Sequence, residues 1–412
     1  MIFRVLKIAN RVAYWAYVAQ AKVRQLPNVV EDIRPRFLLD ETLAAPDGER
    51  FAIAVKYSKN GLLDGFLDLL DALQRQNVNV VVVCNGRPSE QDLDALRSRT
   101  HRLLVRKNIG RDFGAYRAAT LHLAAGGVNP SRVLYFNDSL VYLPGPQLDQ
   151  MIGAFIQSSY DLAGAFENHE HEHHVGSFAF SISGRVFADP AVLRFWRRYK
   201  SYDLRPHAIH RGEIGLSRVV KSRGYAVDVI YSVDRLLEAL SRLSLAELLS
   251  LVRYLPSNAA AQPFSEWIQE PLDASRLLTL LRDQVAYRAS GKTPTISDFR
   301  NQKGVRDVRA RLAGEFEQDQ LMREWLIDRL LGTFMNSSQV HFGFGLFHTV
   351  LYSPVLKKDL LAHGVFLEHQ CARILETQAP EHRSRIIREL VNRGRPVRPS
   401  LMRRFKLENG LI

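Results

Sequence analysis

The sequence predicts an α/β fold: a mainly parallel sheet with flanking helices, followed by a mostly helical C-terminal region. Three observations carry this. Between residues 51 and 136, short strand-forming runs alternate with longer amphipathic ones in the order β-α-β-α-β-α-β, the order of parallel strands joined by helical crossovers. The strand runs are apolar throughout instead of alternating, Val80-Val81-Val82-Val83 above all, as expected of strands covered on both faces. From about Leu236 onward, apolar residues recur at helical spacing.

Residues 1–48 read as a basic amphipathic N-terminal helix and a linker. At 100° per residue Arg4, Lys7, Arg11 and Lys22 fall on one stripe. Ile2, Val5, Leu6, Ala9, Val12, Ala13 and Ala16 occupy the other side, and Tyr14, Trp15 and Tyr17 suit an interface. Such a helix either lies in a headgroup layer or packs on its own domain. Charges recur through it and no clear small-residue cleavage site follows, which argues against a signal peptide. Pro27, Pro35 and Pro46 make 27–48 irregular.

Residues 49–235 form the predicted α/β domain. Strands are expected at 51–57, 78–84, 102–105 and 133–136, with helices at 62–76, 90–98 and 114–125. Further strands are expected at 161–166, 177–183 and 226–230, and helices at 148–157 and 191–200. Residues 236–412 form the helical C-terminal region, with helical spacing at 245–254, 277–287, 321–334 and 365–376. It closes on a basic tail in which Arg383, Arg385, Arg388, Arg393, Arg395, Arg398, Arg403, Arg404 and Lys406 meet few acids.

With a net charge of +13 over 412 residues, the chain suits anionic partners: phosphates, anionic lipid or nucleic acid. Nucleic acid ranks last, because the basic residues concentrate at the two ends and do not interleave with aromatics in a recognisable motif. Two cysteines far apart, Cys84 and Cys371, support neither a disulfide framework nor a cysteine zinc site. No apolar run reaches the roughly 20 residues of a membrane-spanning helix.

Polar segments follow the strands where ligands bind in open α/β sheets. They are Lys56-Tyr57-Ser58-Lys59-Asn60-Gly61, Cys84-Asn85-Gly86, Lys107-Asn108-Ile109-Gly110-Arg111-Asp112-Phe113-Gly114 and Asn137-Asp138-Ser139. Each alone is a turn signal. Together they would line one rim of the sheet. Asp138, ending an apolar run, is either paired or holding a cation. Arg111 offers a planar fork for a phosphate or carboxylate, while Asp112 can accept from sugar hydroxyls or cap a helix.

The stretches 104–120 and 133–144 resemble the rhamnan synthesis protein F family of polysaccharide glycosyltransferases, with its Asn-x-Gly-Arg-Asp segment and an Asn-Asp-Ser segment at a strand end. Gly212-Glu213-Ile214-Gly215-Leu216-Ser217-Arg218 and Gly224-Tyr225 are similar to the same family and, more loosely, to the acidic motif of GT-A glycosyltransferases. His341-Phe342-Gly343 and Pro354-Val355-Leu356-Lys357-Lys358-Asp359-Leu360 resemble a C-terminal segment of such enzymes. The likeness covers residues 50–235 well and 336–375 loosely.

The resemblance implies a GT-A-like domain that binds a nucleotide-diphosphate sugar. Asn108, Arg111 and Asp112 would then bind the nucleotide side of the donor, with Ser58 and Asn85 from the first two segments as further donor-binding candidates. Asn137 and Asp138 stand in place of the DXD metal motif. A typical DXD has two acids and this segment has one, yet Mg²⁺ is often held by one or two carboxylates plus substrate phosphates. The implied cofactor is therefore a divalent cation, Mg²⁺ or Mn²⁺. Glu213 is the candidate general base that accepts the proton of the acceptor hydroxyl, or else simply an acid in a helix's first turn.

The run Glu167-Asn168-His169-Glu170-His171-Glu172-His173-His174 contains the letters of a His-Glu-x-x-His zinc motif. That motif needs a helix, and strand-forming residues flank this run, so a polar loop beside the site is expected. The leading expectation is a glycosyltransferase that acts on a cell-surface polysaccharide or lipid-linked glycan, with rhamnose or another deoxyhexose as the sugar. It would be cytoplasmic and peripheral on the inner face of the cell membrane, held on an anionic surface. The alternative is a non-catalytic scaffold of a polysaccharide-synthesis complex.

Overall fold

The computed structural model describes residues 2–57, 61–169, 172–256, 315–334 and 338–394, without the side chains of 2–9, 315–318 and 321. In chain order its first part is α1 (Ile2–Glu31), β1 (Leu39–Thr42), β2 (Arg50–Tyr57), α2 (Asp64–Arg75), β3 (Asn79–Asn85), α3 (Glu90–Arg97), β4 (Arg102–Arg106), α4 (Arg111–Ala125), β5 (Arg132–Asn137) and β6 (Leu140–Tyr142). There follow α5 (Pro146–Gln157), β7 (Leu162–Gly164), β8 (Glu167–Asn168), β9 (His174–Val175), β10 (Ala179–Ser183), α6 (Gly184–Ala188), α7 (Pro190–Arg198), α8 (Arg205–His207), a π-helical turn (Ala208–Glu213), α9 (Ile214–Ser222) and β11 (Val227–Val229). The helical part holds α10 (Val233–Ser241), α11 (Leu245–Leu251), α12 (Glu315–Gly332), α13 (Gln339–Phe342), α14 (Phe344–Leu351), β12 (Val355–Lys357), α15 (Glu368–Ile374) and α16 (Pro380–Asn392).

The main sheet has eight strands in the order β1-β4-β3-β2-β5-β10-β7-β11. The run β4-β3-β2-β5 is parallel throughout. β10 is antiparallel to both its neighbours, and β11 runs parallel to β7. The chain steps from β2 outward to β3 and β4, then returns to place β5 on the other side of β2. A topological switch point therefore lies between β2 and β5, the position where open α/β sheets form a ligand crevice.

Both faces of the sheet are covered, as the unbroken apolar strands require. Ile53, Val55, Val81, Val83 and Tyr135 pack with Phe113, Tyr116 and Trp196 on one face. Ala52, Ala54, Val80, Val82 and Phe136 pack on the other with Phe66, Leu70 and Phe155. The same apolar cluster takes in Leu236, Leu248, Trp325, Leu326 and Phe347 from the helical part. β12 adds an antiparallel pairing to β6, Val355 opposite Tyr142 and Lys357 opposite Leu140. The helical part is thus built onto the sheet.

Several elements depart from the sequence reading. The expected linker within 1–48 contains β1, which pairs antiparallel with β4 at the sheet edge. Its alternating half-exposed pattern over Leu-Asp-Glu-Thr gives no apolar run to detect. α1 continues through Pro27, which removes one helical hydrogen bond. α4 starts at Arg111, three residues before the expected 114. The first part of the expected basic tail is α16, whose Ile386 and Leu390 are buried. Residues 395–412 and the expected helix 277–287 lie outside the described residues. Among the described residues no helix is long and apolar enough to cross a membrane.

Candidate active site at the strand ends

The carboxyl ends of β2 and β5 meet at the switch point. Asp138, the first residue after β5, donates its backbone N–H to the Val55 carbonyl at 3.1 Å. Its Oδ2 accepts from Lys56 Nζ at 3.1 Å and from the Tyr57 amide at 3.1 Å. Lys56 Nζ also donates to the Tyr57 carbonyl. The side chains of Lys56 and Asp138 are 3% and 10% exposed, so each supplies the partner that a buried charge requires. Lys56 opens the first polar strand-end segment, but no spacing rule ties it to a residue 82 positions away.

Asn137, buried at the end of β5, is fully engaged. Its Nδ2 donates to Asp112 Oδ2 at 2.9 Å. Its Oδ1 accepts from the Ser139 amide at 3.1 Å and the Ser139 hydroxyl at 2.6 Å. With this amide orientation Asn137 orients Asp112 and presents no free oxygen to a metal. Asp112 sits in the first turn of α4. Burial, and next the charge of Asp138, push its carboxyl up to about 6. Asp112 on α4 is thus a second acid whose charge is felt by, and feels, Asp138.

Lys357 enters from β12. Its Nζ donates to Ser139 Oγ at 2.9 Å and lies 4.5 Å from the centre of the Phe178 ring. Burial lowers its pKa, against the raising charges of Asp359, Glu213 and Asp112. Next to it Lys358, 1% exposed, pairs with buried Glu389 of α16 at 3.0 Å.

Glu213 is the last residue of the π-helical turn; such turns occur frequently at functional sites. Its Oε1 accepts from the Ser177 hydroxyl and, at 3.3 Å, from the Ser177 amide. Its Oε2 lies 3.4 Å from His174 Nε2. Burial alone would raise the pKa of Glu213, but the bonds from His174 and Ser177 and the charge of His174 outweigh it and hold the group below the ordinary carboxylate range. The same turn places Gly212 against α4: a Cβ there would stand 2.7 Å from the Phe113 ring.

The remaining candidates scatter. Asn85 is 2% exposed; its Nδ2 donates to the Arg111 carbonyl at 3.1 Å and its Oδ1 accepts from Arg106 Nη1 at 2.9 Å. It therefore holds the loop before α4. Arg111 and Asn108 are exposed. The N–H groups of Gly110 and Arg111 donate to Asp203 Oδ1 at 2.7 and 3.1 Å, so that carboxylate caps α4. Ser58 lies outside the described residues. At the two ends of the histidine run β8 and β9 pair antiparallel, with Asn168 opposite His174, while residues 170 and 171 lie outside the described residues. Glu167, His169 and His173 bring one ligand atom each within 4.8 Å of one another. There the Lys221 ammonium bonds His173 Nδ1 at 2.6 Å, which places a positive charge beside any ion.

For a divalent cation at the rim, the available donors are the carboxylates of Asp138 and Asp112. One or two carboxylates with substrate phosphates is a donor set that suits Mg²⁺, and a cation there would offset the repulsion that raises Asp112.

Fold and rim define an open α/β protein with a lysine-flanked pair of acids at its switch point. More particularly, residues 80–243, from β3 through α10, match the family model for rhamnan synthesis protein F, which bears out the resemblance carried by the strand-end segments. An uncharacterized protein of Sinorhizobium fredii, y4gN, is 28% identical over 213 residues. That match covers 51% of this chain and 55% of the relative, so the chain spans about half the length of that protein. Two solved structures are also similar. The mannosyltransferase PcManGT of Pyrobaculum calidifontis, in complex with GDP-Man and Mn²⁺, aligns over 79% of this chain and 98% of its own at 11% identity and a TM-score of 0.31. The glycosyltransferase GlyE of Streptococcus pneumoniae TIGR4 aligns over 36% and 37% at 12% identity and a TM-score of 0.23.

Proposed function

We propose that the protein is a glycosyltransferase that moves a sugar from a nucleotide-diphosphate donor to a glycan or lipid-linked acceptor. The observation that carries this reading is the convergence at one switch point of Asp138, Asp112, Lys56, Lys357 and Glu213, groups drawn from four separate elements and the residue after β5. The family description favours rhamnose or another deoxyhexose as the sugar.

In this reading the donor diphosphate lies along the rim. Lys357 and Lys56 offset its charge, and Asp112 and Asp138 would hold a Mg²⁺ or Mn²⁺ ion, which when bound supplies further positive charge to the leaving diphosphate. Asn137 keeps Asp112 in place. As the acceptor oxygen bonds to the anomeric carbon, the bond to the diphosphate breaks and its electron pair leaves with the diphosphate. The acceptor proton goes to Glu213, which is ionised near neutral pH. Proton transfer to so weak a base is favourable only late, once the attacking oxygen has become acidic. Ser177 and His174 fix the direction of the carboxylate.

A panel of nucleotide-diphosphate sugars, with and without Mg²⁺ or Mn²⁺, tests this by thermal shift. A donor that binds the folded state raises the melting temperature by mass action. A shift is expected for at least one donor, larger with metal and lost in Asp138→Ala and Asp112→Ala. The pairing of Asp138 with Lys56 favours a second reading, a non-catalytic scaffold with a closed strand end. Calorimetric silence with every donor would select that reading and sink the first.

A further inference from the structure

A cavity of about 780 Å³ lies away from the rim. It lies among α1, α7, the π-helical turn and α9. Six cationic side chains line it, Lys22, Arg194, Arg198, Lys200, Arg211 and Arg218, and no carboxylate does. The helices set this arrangement. On α7, Val192 and Trp196 face the core, which leaves Arg194 and Arg198, four residues apart, on one outer face. On α9, Ile214, Leu216, Ser217 and Val220 are buried, and Gly215, Arg218, Val219 and Ser222 form the face toward the cavity. α1 closes the other side: Val18 and Val29 pack with Tyr202 and Leu204, and Lys22 stands 5.9 Å from the Tyr202 ring.

A solvated basic surface ordinarily interleaves acids. Here Arg218 pairs with Glu172 at 2.8 Å, while Arg194, Arg198, Lys200 and Arg211 form no ion pair with any described residue. His207 lines the same cavity. Burial first, then the charges of Lys22, Arg211 and Lys200, hold its pKa down at about 4, against the hydrogen bond to the Lys200 carbonyl. So many like charges around one concavity are unfavourable without an anion between them. The volume suits a ligand of cofactor size.

We propose that this cavity is a second site, which binds a phosphate- or diphosphate-bearing ligand. Arginine forks and lysine ammoniums are the usual recognition groups for phosphoryl oxygens. The phosphate belongs either to a lipid headgroup or to a soluble molecule. The lipid source is a real arm because α1 leaves Val12, Trp15, Val23, Leu26 and Val30 at least 47% exposed. The proposal stands apart from the donor reading, since none of these cations contacts the rim acids in the interactions described above. The π-helical turn joins the two places: Arg211 lines the cavity and Glu213 reaches the rim.

The test uses the full chain. Inorganic pyrophosphate binding is measured by calorimetry, and vesicles of phosphatidylcholine with and without phosphatidic acid are tested by co-sedimentation. The variants are Arg194→Gln/Arg211→Gln and, as control, Arg388→Gln, exposed on α16; circular dichroism checks that each is folded. Pyrophosphate binding, weakened at least about tenfold in the double variant by loss of charge-assisted contacts and unchanged in the control, supports the site. Vesicle binding that depends on phosphatidic acid, is lost in the double variant and is displaced by pyrophosphate assigns the headgroup as source. Pyrophosphate binding without such vesicle binding assigns a soluble ligand. Failure of both probes to bind, or equal binding by double variant and wild type, overturns the proposal whatever the donor panel gives.

Discussion

Asp112 is the residue on which the rim turns. Its raised pKa, about 6, comes from burial and from Asp138. Its folded-state value thus exceeds the ordinary 3.8, so the folded protein binds this proton more tightly than the unfolded chain does. Its contribution is therefore most favourable below the unfolded pKa and is lost as pH rises between about 4 and 6. Metal-assisted donor binding needs the ionised form and should move the opposite way. The donor-induced thermal shift with Mn²⁺ is expected to grow as pH rises through about 6, and Asp112→Asn should remove that step. A step that persists in Asp112→Asn would assign the titration to another group. Asp138 was legible in the sequence because an apolar strand cannot end in a bare carboxylate. Its partners were not, since Lys56 and Asp112 meet it only once β2, β5 and α4 are assembled.

At the scale of elements, α4 shows what a one-dimensional reading loses. Asn-Ile-Gly reads as loop, which pushes the expected helix start to residue 114. The helix begins at Arg111 because Gly110 and Arg111 adopt φ of 78° and 54° and Asp203 caps both amides from 92 and 93 residues away. That early start puts Asp112 at the rim. A Cβ on Gly110 would meet Ser201 Cβ at 2.3 Å, and its φ is disfavoured for other residues. Gly110→Ala is expected to cost at least about 1–3 kcal/mol from backbone strain alone. Asp203→Ala should cost about 1–2 kcal/mol as a lost cap. Urea unfolding measures both, and a neutral Gly110→Ala would mean that the turn is not strained. The β-strands of the parallel run were legible almost to the residue, because their apolar composition follows from being covered on both faces. β1, β6 and β12 were not. They are short, and their pairing partners lie far along the chain.

Over the whole molecule, periodicity marked residues 236 onward as helical but could not say what those helices pack against. They complete the core on one face of the sheet. At the other end of the chain, α1 is tied down by a buried cluster. Asp32 lies between Arg106 Nη2 at 2.7 Å and Arg117 Nη1 at 3.4 Å, with all three side chains at most 5% exposed. Arg106 also bonds Asn85, so the cluster links α1 to the loop before α4. Removing one member of a buried ionic group strands the others, at a cost of about 3–5 kcal/mol. Asp32→Ala should lower the unfolding free energy by that amount. Trp196 reports on the α4 face of the sheet and Trp325 on the helical part, and in a background where the other two tryptophans, Trp15 and Trp267, are replaced by phenylalanine, Trp196→Phe and Trp325→Phe variants separate their fluorescence. If the molecule unfolds around one shared core, both reporters give the same urea midpoint, and both midpoints fall together in Asp32→Ala. A Trp325 midpoint that stays fixed while the Trp196 midpoint falls would show instead that the helical part unfolds as a unit of its own.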